Sequence, residues 1–229
     1  MAVPATSIGH PSKTFTVNDD EAVYVVHDIQ QPAVLSALYG RRSLRRYQQT
    51  PVPTPIIESV LDAGTWAPSA HNRQPWRFAV LTSFDAKDRL ARAMGQRLRR
   101  DLEADHVPEA IIHKDVTRLY DRLTLAPVVI VMCMTMIDMD AYPDAQRSHN
   151  EFVMAVQGVA MAGQNILLAA HGYGMGACWM CAPLFCPDVV RNALTLPDDW
   201  HPQGAITMGY PAQQREKTRE PLETRLLWR

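Results

Sequence analysis

Two clusters of basic residues, far apart in the sequence, have side chains suited to binding a phosphate group. The first places four arginines around a serine: Arg41, Arg42, Ser43, Arg45 and Arg46. Guanidinium groups bind phosphate oxygens in pairs, and a serine hydroxyl adds a short neutral donor. The second cluster is Lys217 and Arg219, whose side chains point the same way if the tail is extended. Considered alone, each cluster also fits a solvated basic surface.

The segment of residues 67–76 could hold a polar ring system. Prolines such as Pro68 stiffen it, while Ser69, Asn72 and Gln74 supply short hydrogen-bond donors and acceptors. Loops with rigid flanks, immediately before a buried strand, are common places for ligand binding. The alternative is a plain connector rich in proline and asparagine.

Three clustered cysteines, Cys178, Cys181 and Cys186, form a CxxC pair with one further thiol. A structural zinc site needs four ligands, and the only histidine nearby is His171. We therefore expect no metal site and interpret these cysteines as small buried side chains.

Composition indicates a folded globular protein and excludes some function classes. The 229 residues include 23 Lys and Arg against 24 Asp and Glu, a formal net charge of −1. Such a balance disfavours nucleic acids and acidic membranes as general partners. The longest apolar run, residues 125–134, is about half of the ~20 residues that a membrane-spanning helix needs. No signal or transit peptide is visible, so we expect a cytoplasmic protein.

The elements that must position these residues follow from the apolar patterning. We interpret residues 1–30 as an N-terminal arm and residues 31–229 as one domain. Thr54 is the expected N-cap of a helix that ends near Trp66, and Asp85 is the expected cap of a long amphipathic helix. Another helix is predicted from Pro108 to about Leu123. Strands are predicted at Trp76–Thr82, Pro127–Met134, Gly176–Met180 and Gly204–Gly209.

A helix of roughly residues 150–170 is apolar on nearly every side, which is typical of a large core or an interface. Its polar residues recur every seven positions, as Asn150, Gln157, Gln164 and His171. Either these side chains form hydrogen bonds with one another inside a helix–helix contact, or they border a ligand between subunits. Gly174 and Gly176 are expected to end this helix.

Taken in order, the motifs resemble the FMN-dependent nitroreductase family. The matching residues span about 38 to 222 and are Arg41-Arg42-Ser43-Leu44-Arg45, Ala67-Pro68-Ser69 with Asn72 and Gln74-Pro75-Trp76, Gln164 to Ala170 with Gly172, Gly209-Tyr210-Pro211, and Lys217 with Arg219. The resemblance implies a three-layer α+β fold, with a central, mostly antiparallel sheet flanked by helices. It also implies an intertwined homodimer with two FMN sites at its interface.

The same resemblance assigns roles to the motif residues. The FMN phosphate would be held by Arg41, Ser43, Lys217 and Arg219. The ribityl chain and the pyrimidine edge of the flavin would be reached by Arg42 and Arg45. The isoalloxazine would be lined from the other subunit by Pro68, Ser69 and Asn72, with Gln74 as a further cofactor-binding residue. The flavin N5 side would face the backbone of Met180 and Cys181.

The activity implied by the resemblance is reduction of nitroaromatics, quinones or similar electron-poor molecules by a reduced nicotinamide. This would be ping-pong hydride transfer at the flavin N5, so no side-chain acid or base is required. The segment Gly176-Ala177-Cys178-Trp179 is most similar to the flavin domain of deazaflavin-cofactor biosynthesis proteins, and enteric-type nitroreductases carry Glu-Gly where Cys181-Ala182 align here. Two alternatives therefore stay open: a specialised flavoenzyme of cofactor biosynthesis, by deazaflavin-precursor reduction or flavin fragmentation, and a non-catalytic flavin-binding protein.

Overall fold

The computed structural model describes residues 16–19, 22–25 and 33–229, which divide into two units between Tyr39 and Gly40. The first unit contains an antiparallel hairpin of strands β1 (Thr16–Asp19) and β2 (Ala22–Val25). Helix α1 (Ala33–Gly40) follows. The predicted N-terminal arm, residues 1–30, falls mostly outside the described residues, and the domain boundary at residue 31 stays a prediction.

The second unit is built on a four-stranded sheet in the order β3-β4-β6-β5, with every neighbouring pair antiparallel. This arrangement confirms the predicted antiparallel sheet. Its elements are, in chain order, α2 (Thr54–Thr65), β3 (Trp76–Leu81), α3 (Phe84–Ala104), α4 (Glu109–Thr124), β4 (Val128–Met134), α5 (Ala145–Gly172), β5 (Gly176–Met180), α6 (Pro187–Leu194) and β6 (His201–Gly209).

Strand β4 shows why the second unit has three layers. All of its residues are buried, and successive side chains point to opposite faces of the sheet. One set, including Ile130 and Met132, packs with residues of α2 and α5. The alternate set, including Val129 and Val131, packs with residues of α3, α4 and α6. Burial on both faces explains the uninterrupted apolar run in the sequence.

Helix starts differ from the predicted ones by a few residues. The side chain of Ser83, rather than Asp85, caps α3 by accepting a hydrogen bond from the Ala86 N–H. Helix α2 already begins at Thr54, so the expected N-cap residue is inside the helix. Helix α5 begins at Ala145, five residues before the predicted start, because Asp144 caps it. In each case a short polar side chain or a proline lies within two residues of the observed start. The sequence alone does not show which of these candidates caps or begins the helix.

The C-terminal end of α5 follows the expected glycine signal. Gly174 adopts a left-handed conformation with φ of 74°. Its N–H donates to the His171 carbonyl at 2.9 Å, and the Met175 N–H donates to the Ala170 carbonyl at 2.9 Å. This pair of bonds is the Schellman motif, in which glycine avoids the Cβ penalty. The turn delivers the chain directly into β5.

Helix α5 has one buried and one exposed apolar face. Ala155, Val159, Ala162 and Ile166 are fully buried against the sheet and α2. The opposite side exposes Phe152, Val153 and Met161, together with the polar stripe residues Gln157 and Gln164. Among the described residues, α5 is the one helix long and apolar enough to span a membrane by length and composition. Its buried face identifies it as a core helix of this fold.

Candidate functional site

The first basic cluster runs along the outer edge of β5. The Leu44 N–H donates to the Ala177 carbonyl at 3.1 Å, and Ser43 forms a parallel bridge with Ala177. The Tyr47 hydroxyl lies 2.8 Å from Thr207 Oγ1 on β6 and donates to the Leu44 carbonyl at 2.6 Å. Burial raises the pKa of Tyr47, so this anchor stays protonated. The arginines are thus mounted on the central sheet.

The second basic cluster is delivered to the first by the chain after β6. The Gln48 N–H donates to the Tyr210 carbonyl at 2.8 Å, and the Ala212 N–H donates to the Arg46 carbonyl at 3.1 Å. Arg219 then lies close enough to Arg41 to repel it. The pKa of Arg41 is lowered, mainly by burial, then by Arg219 and then by Arg42. Arg41 and Arg219, more than 170 positions apart in the chain, are therefore close enough for their charges to interact. Lys217 is exposed in the same tail.

The described residues satisfy the guanidinium of Arg41 only in part. Its Nε and Nη1 atoms are buried and, among the described residues, have no hydrogen-bond partner. A buried donor left unpaired costs about 1–3 kcal/mol, and more when it is charged. With a second guanidinium beside it, the site favours a ligand that brings several negative oxygens. A phosphate monoester has that chemistry.

A cavity of about 400 Å³ lies on the α3–α4 side of β5. Arg45, Met180 and Cys181, three residues predicted from the sequence to contact the flavin ring, all line this cavity. The rest of its wall combines apolar and charged side chains: Met94, Arg97, Leu98, Asp101, Asp115, Arg118, Leu119, Arg122, Trp179, Ala182, Phe185 and Cys186. Its size and mixed lining suit a planar ring with polar edges.

Among the described residues, some arginines in this cavity form ion pairs with aspartates, and others do not. Arg97 pairs with Asp101 at 2.9 Å, and Arg118 pairs with Asp115 at 2.8 Å. In the part of the chain that the structure describes, Arg45 and Arg122 form no ion pair. The pKa of Arg122 is lowered by burial, then by the charge of Arg45, then by Arg118. The cavity therefore favours a negatively charged edge on its ligand.

Arg122 was missed from the sequence. It lies in α4, among many charged residues of an amphipathic helix, and no local motif distinguishes it. Cys178 was interpreted only as a buried thiol, yet its side chain faces the charges of Arg45, Arg122 and Arg41. Burial still raises the pKa of this thiol. Its position marks the junction between the anion site and the cavity.

The loop before β3 lies at the other edge of the sheet. Ser69 Oγ accepts from the Gln74 N–H at 3.0 Å, and Gln74 Nε2 donates to Asn72 Oδ1 at 3.3 Å. Pro68, Asn72 and Gln74 are exposed. Since β3 and β5 are the two edge strands, three strand spacings, about 14 Å, separate them. One copy of the chain does not bring this loop to the arginines.

The last residue of the polar stripe on α5 reaches the anion site. The pKa of His171 is lowered by burial, then by the charges of Arg41 and Arg42. A Cβ atom placed on Gly40 would lie 3.1 Å from His171 Nε2, so the imidazole packs against the start of the arginine segment. Within the described ranges, no group of His, Cys, Asp and Glu is arranged to hold a metal ion.

Comparison with known proteins agrees with this geometry. The model of the nitroreductase family matches residues 38–210. A Methanothermobacter thermautotrophicus protein named NADH dehydrogenase/NAD(P)H nitroreductase is 32% identical, covering 83% of this chain and 84% of its own. A Thermus thermophilus protein named NADH dehydrogenase is 31% identical, covering 85% and 95%. A Desulfovibrio desulfuricans nitroreductase-type protein crystallised with FMN aligns with TM-score 0.67 and 29% identity, covering 87% and 98%.

Proposed function

Because this chain belongs to the nitroreductase family, we propose that it is an FMN-dependent oxidoreductase that takes electrons from NADH or NADPH. Its acceptors are electron-poor small molecules such as nitroaromatics and quinones. The observation that carries the proposal is the half-buried Arg41, with unpaired nitrogens, beside Arg219. The similar D. desulfuricans protein, crystallised with FMN, supports this cofactor.

The chain's own residues fit FMN at both ends. Arg41, Ser43, Lys217 and Arg219 would hold the phosphate, with Arg42 at the ribityl chain. Phosphate oxygens would satisfy the buried Arg41 nitrogens and offset its repulsion from Arg219.

The cavity beside β5 would hold the ring. Its walls at Met180 and Cys181 would lie against the ring. Arg45 and Arg122 would favour negative charge on the ring edge that faces them, because Arg122 is repelled by Arg45 more strongly than it is attracted by Asp115. When bound, FMN supplies the two-electron chemistry, accepting a hydride from the nicotinamide and passing it to the acceptor.

We further propose that the working unit is a homodimer. The loop bearing Pro68, Ser69, Asn72 and Gln74 is at the sheet edge opposite the arginines, so a second copy is needed to bring it to the flavin. The exposed apolar face of α5 is suited to bury against the same face of that copy. The stripe of Gln157, Gln164 and His171 would then border the site between subunits.

Anaerobic rapid mixing tests this activity. The FMN-loaded protein is mixed with NADH or NADPH, and the visible flavin absorbance is followed. We expect bleaching by at least one nicotinamide and recovery when a quinone or nitroarene is added. Bleaching by neither would contradict the proposed reductant, and recovery only with a deazaflavin precursor would identify the specialised biosynthetic alternative.

A further inference from the structure

The loop of residues 69–75, which we call the ring loop, has a strained backbone. Three of its residues, none of them glycine, adopt left-handed conformations: His71 (φ 49°), Asn72 (φ 54°) and Gln74 (φ 51°). Such conformations persist only where surrounding structure holds them, and they concentrate at ligand-binding sites. Contacts within the loop, such as the hydrogen bond from the Gln74 N–H to Ser69 Oγ, join its residues only to one another. The question is which external contacts hold it.

The connector of residues 135–144, between β4 and α5, supplies those contacts. The Thr135 N–H donates to the Pro75 carbonyl at 2.9 Å. The Arg73 guanidinium forms an ion pair with the Asp140 carboxylate. Both ends of the ring loop's second half are therefore tied to this connector. The contact at Arg73 depends on the position of Asp140.

Asp140 is held by a buried acid on α5. The Glu151 side chain is only 1% exposed, and its Oε1 accepts a hydrogen bond from the Asp140 N–H at 3.1 Å. Among the described residues, its Oε2 has no hydrogen-bond partner. Burying a carboxylate for one backbone hydrogen bond is unfavourable, and an apolar residue would stabilise the core more. The hydrogen bond that positions Asp140 is therefore the structural role that this buried acid has.

The ring loop also rests on α5 itself. A Cβ atom at Gly158 would lie 3.3 Å from Pro75 Cγ and 3.5 Å from Ser69 Cβ. Gly158 is seven residues after Glu151, two helical turns along the same face. Helix α5 thus supports the loop directly at Gly158 and indirectly, through the connector, at Glu151.

We propose that Glu151 is a positioning residue for the flavin site. By fixing Asp140, and through it Arg73, it holds the ring loop in the conformation in which Ser69, Asn72 and Gln74 meet the flavin. This inference rests on the proposed function, because that function assigns the loop to the flavin of the second copy. The buried acid, the connector and the loop together form one support that we call the Glu151 brace.

Hydrogen exchange of the flavin-free protein tests the brace independently of the cofactor. The amides of Asn72, Arg73 and Gln74 are hydrogen-bonded within the ring loop and report its order. We expect Glu151→Ala to speed their exchange roughly tenfold or more. Glu151→Gln keeps an oxygen acceptor for the Asp140 N–H and should restore most of the protection.

A matched control separates positioning from a general loss of stability. Lys87→Met removes another buried hydrogen bond, from Lys87 Nζ to the Ala126 carbonyl at 2.7 Å, in the opposite helical layer. It should leave the exchange of the ring-loop amides unchanged. If Glu151→Ala does not fold, Asp140→Asn breaks the ion pair with Arg73 from a partly exposed position and should loosen the same amides.

FMN binding gives the second measurement. Glu151→Ala should weaken FMN binding about tenfold and alter the visible circular dichroism of the bound flavin, whereas Lys87→Met should do neither. Unchanged exchange of the ring-loop amides in Glu151→Ala or Asp140→Asn, or equal loosening in Lys87→Met, would overturn the brace. A wild-type protein that does not bind FMN would instead contradict the proposed function, while the exchange experiment still decides the brace.

Discussion

At the scale of single residues, the proposed anion site depends most on Arg41 and Arg219. They bring two positive charges to one place, which is unfavourable unless an anion joins them. Because Arg41 is half-buried and Arg219 comes from an exposed tail, their contributions differ. Arg41 loses hydration on folding, whereas Arg219 would contact the proposed phosphate from the solvent side.

Replacement of Arg219 tests the anion site without disturbing the core. Arg219→Ala should weaken FMN binding by roughly 10- to 100-fold, because a charge-assisted hydrogen bond contributes about 1.5–3 kcal/mol. Arg46→Ala, an exposed arginine of the same cluster, should change binding little. Titration of apoprotein with FMN, followed by flavin fluorescence, measures both; equal affinities for wild type and Arg219→Ala would remove the phosphate assignment.

Cys133 gives a pH dependence with a definite sign. Burial raises the pKa of this thiol to about 12, while a thiol in the unfolded chain ionises near pH 8.5–9. Above about pH 9 the unfolded state therefore binds fewer protons than the native state, so the free energy of unfolding falls as pH rises. The Cys133 share of that fall between about pH 8 and pH 10 is about 1.5 kcal/mol.

Urea unfolding of wild type and Cys133→Ala at both pH values isolates this share. The variant starts less stable because it loses buried volume, but it should lose about 1.5 kcal/mol less than wild type over the interval. Both proteins contain the other groups that titrate in this pH interval, so the contributions of those groups to the free energy of unfolding cancel in the difference. Identical pH slopes would show that this thiol does not carry the raised pKa.

At the scale of elements, the packing of α5 on the sheet depends on one tryptophan. The Trp179 indole lies between two glycines, Gly163 on α5 and Gly204 on β6, and a Cβ atom at either would overlap its ring. These glycines are needed for close approach rather than for backbone conformation. The contact fixes the distance between α5 and the strand that lines the cavity.

Gly163→Ala should therefore destabilise the fold by about 1–3 kcal/mol, because the added methyl group overpacks the contact. Gly172→Ala on the same helix is the control, since a Cβ atom there meets nothing within 4 Å. Its effect should stay within about 0.5 kcal/mol. Denaturant unfolding monitored by Trp fluorescence measures both, and equal stabilities would mean that the glycine–indole contact is loose.

The elements themselves were largely predictable from the sequence. Strand β5 has the predicted bounds. Glycine residues mark its start, and the hydrophobic pattern of the sequence changes at its end. Strand β6 extends to His201, three residues before its predicted start at Gly204, since prolines and glycines conceal its first residues. Helix starts were less accurate, because adjacent polar residues such as Ser83 and Asp85 have similar capping propensities and only tertiary packing chooses between them.

At the scale of the whole molecule, the single chain leaves an apolar helix face exposed. Met161, 39% exposed, and Val153, 36% exposed, lie on that face of α5. Met161→Glu would place a charge in the proposed interface, where burying it is costly. We expect this variant to be monomeric and to retain FMN poorly, because the ring loop of the second copy is lost.

Sedimentation velocity measures the assembly directly. Gln96→Glu, which adds the same charge to an exposed position of α3, should leave the wild-type dimer intact. A wild-type protein that sediments as a monomer, or a Met161→Glu variant that sediments as a dimer, would contradict the proposed interface.

The residues of the candidate site were only partly predictable, because some lie in local sequence motifs and others are brought together only by the fold. Arg41, Ser43 and the tail residues form local motifs, so their side-chain chemistry suggested anion binding, although each cluster alone also fitted a solvated basic surface. That Arg219 meets Arg41 depends on the pairing of residues 46–48 with the chain after β6, which no local pattern encodes. Arg122 and Glu151 belong to ordinary helical surfaces in the sequence, and only their burial in the fold distinguishes them.

The absorption spectrum of the purified protein, with identification and quantification of any flavin that it releases, tests the central claim most directly. The account predicts a yellow protein that releases FMN at one molecule per chain, or a colourless apoprotein that acquires the flavin spectrum at the same ratio when FMN is added. A colourless protein that cannot be reconstituted with FMN would contradict it.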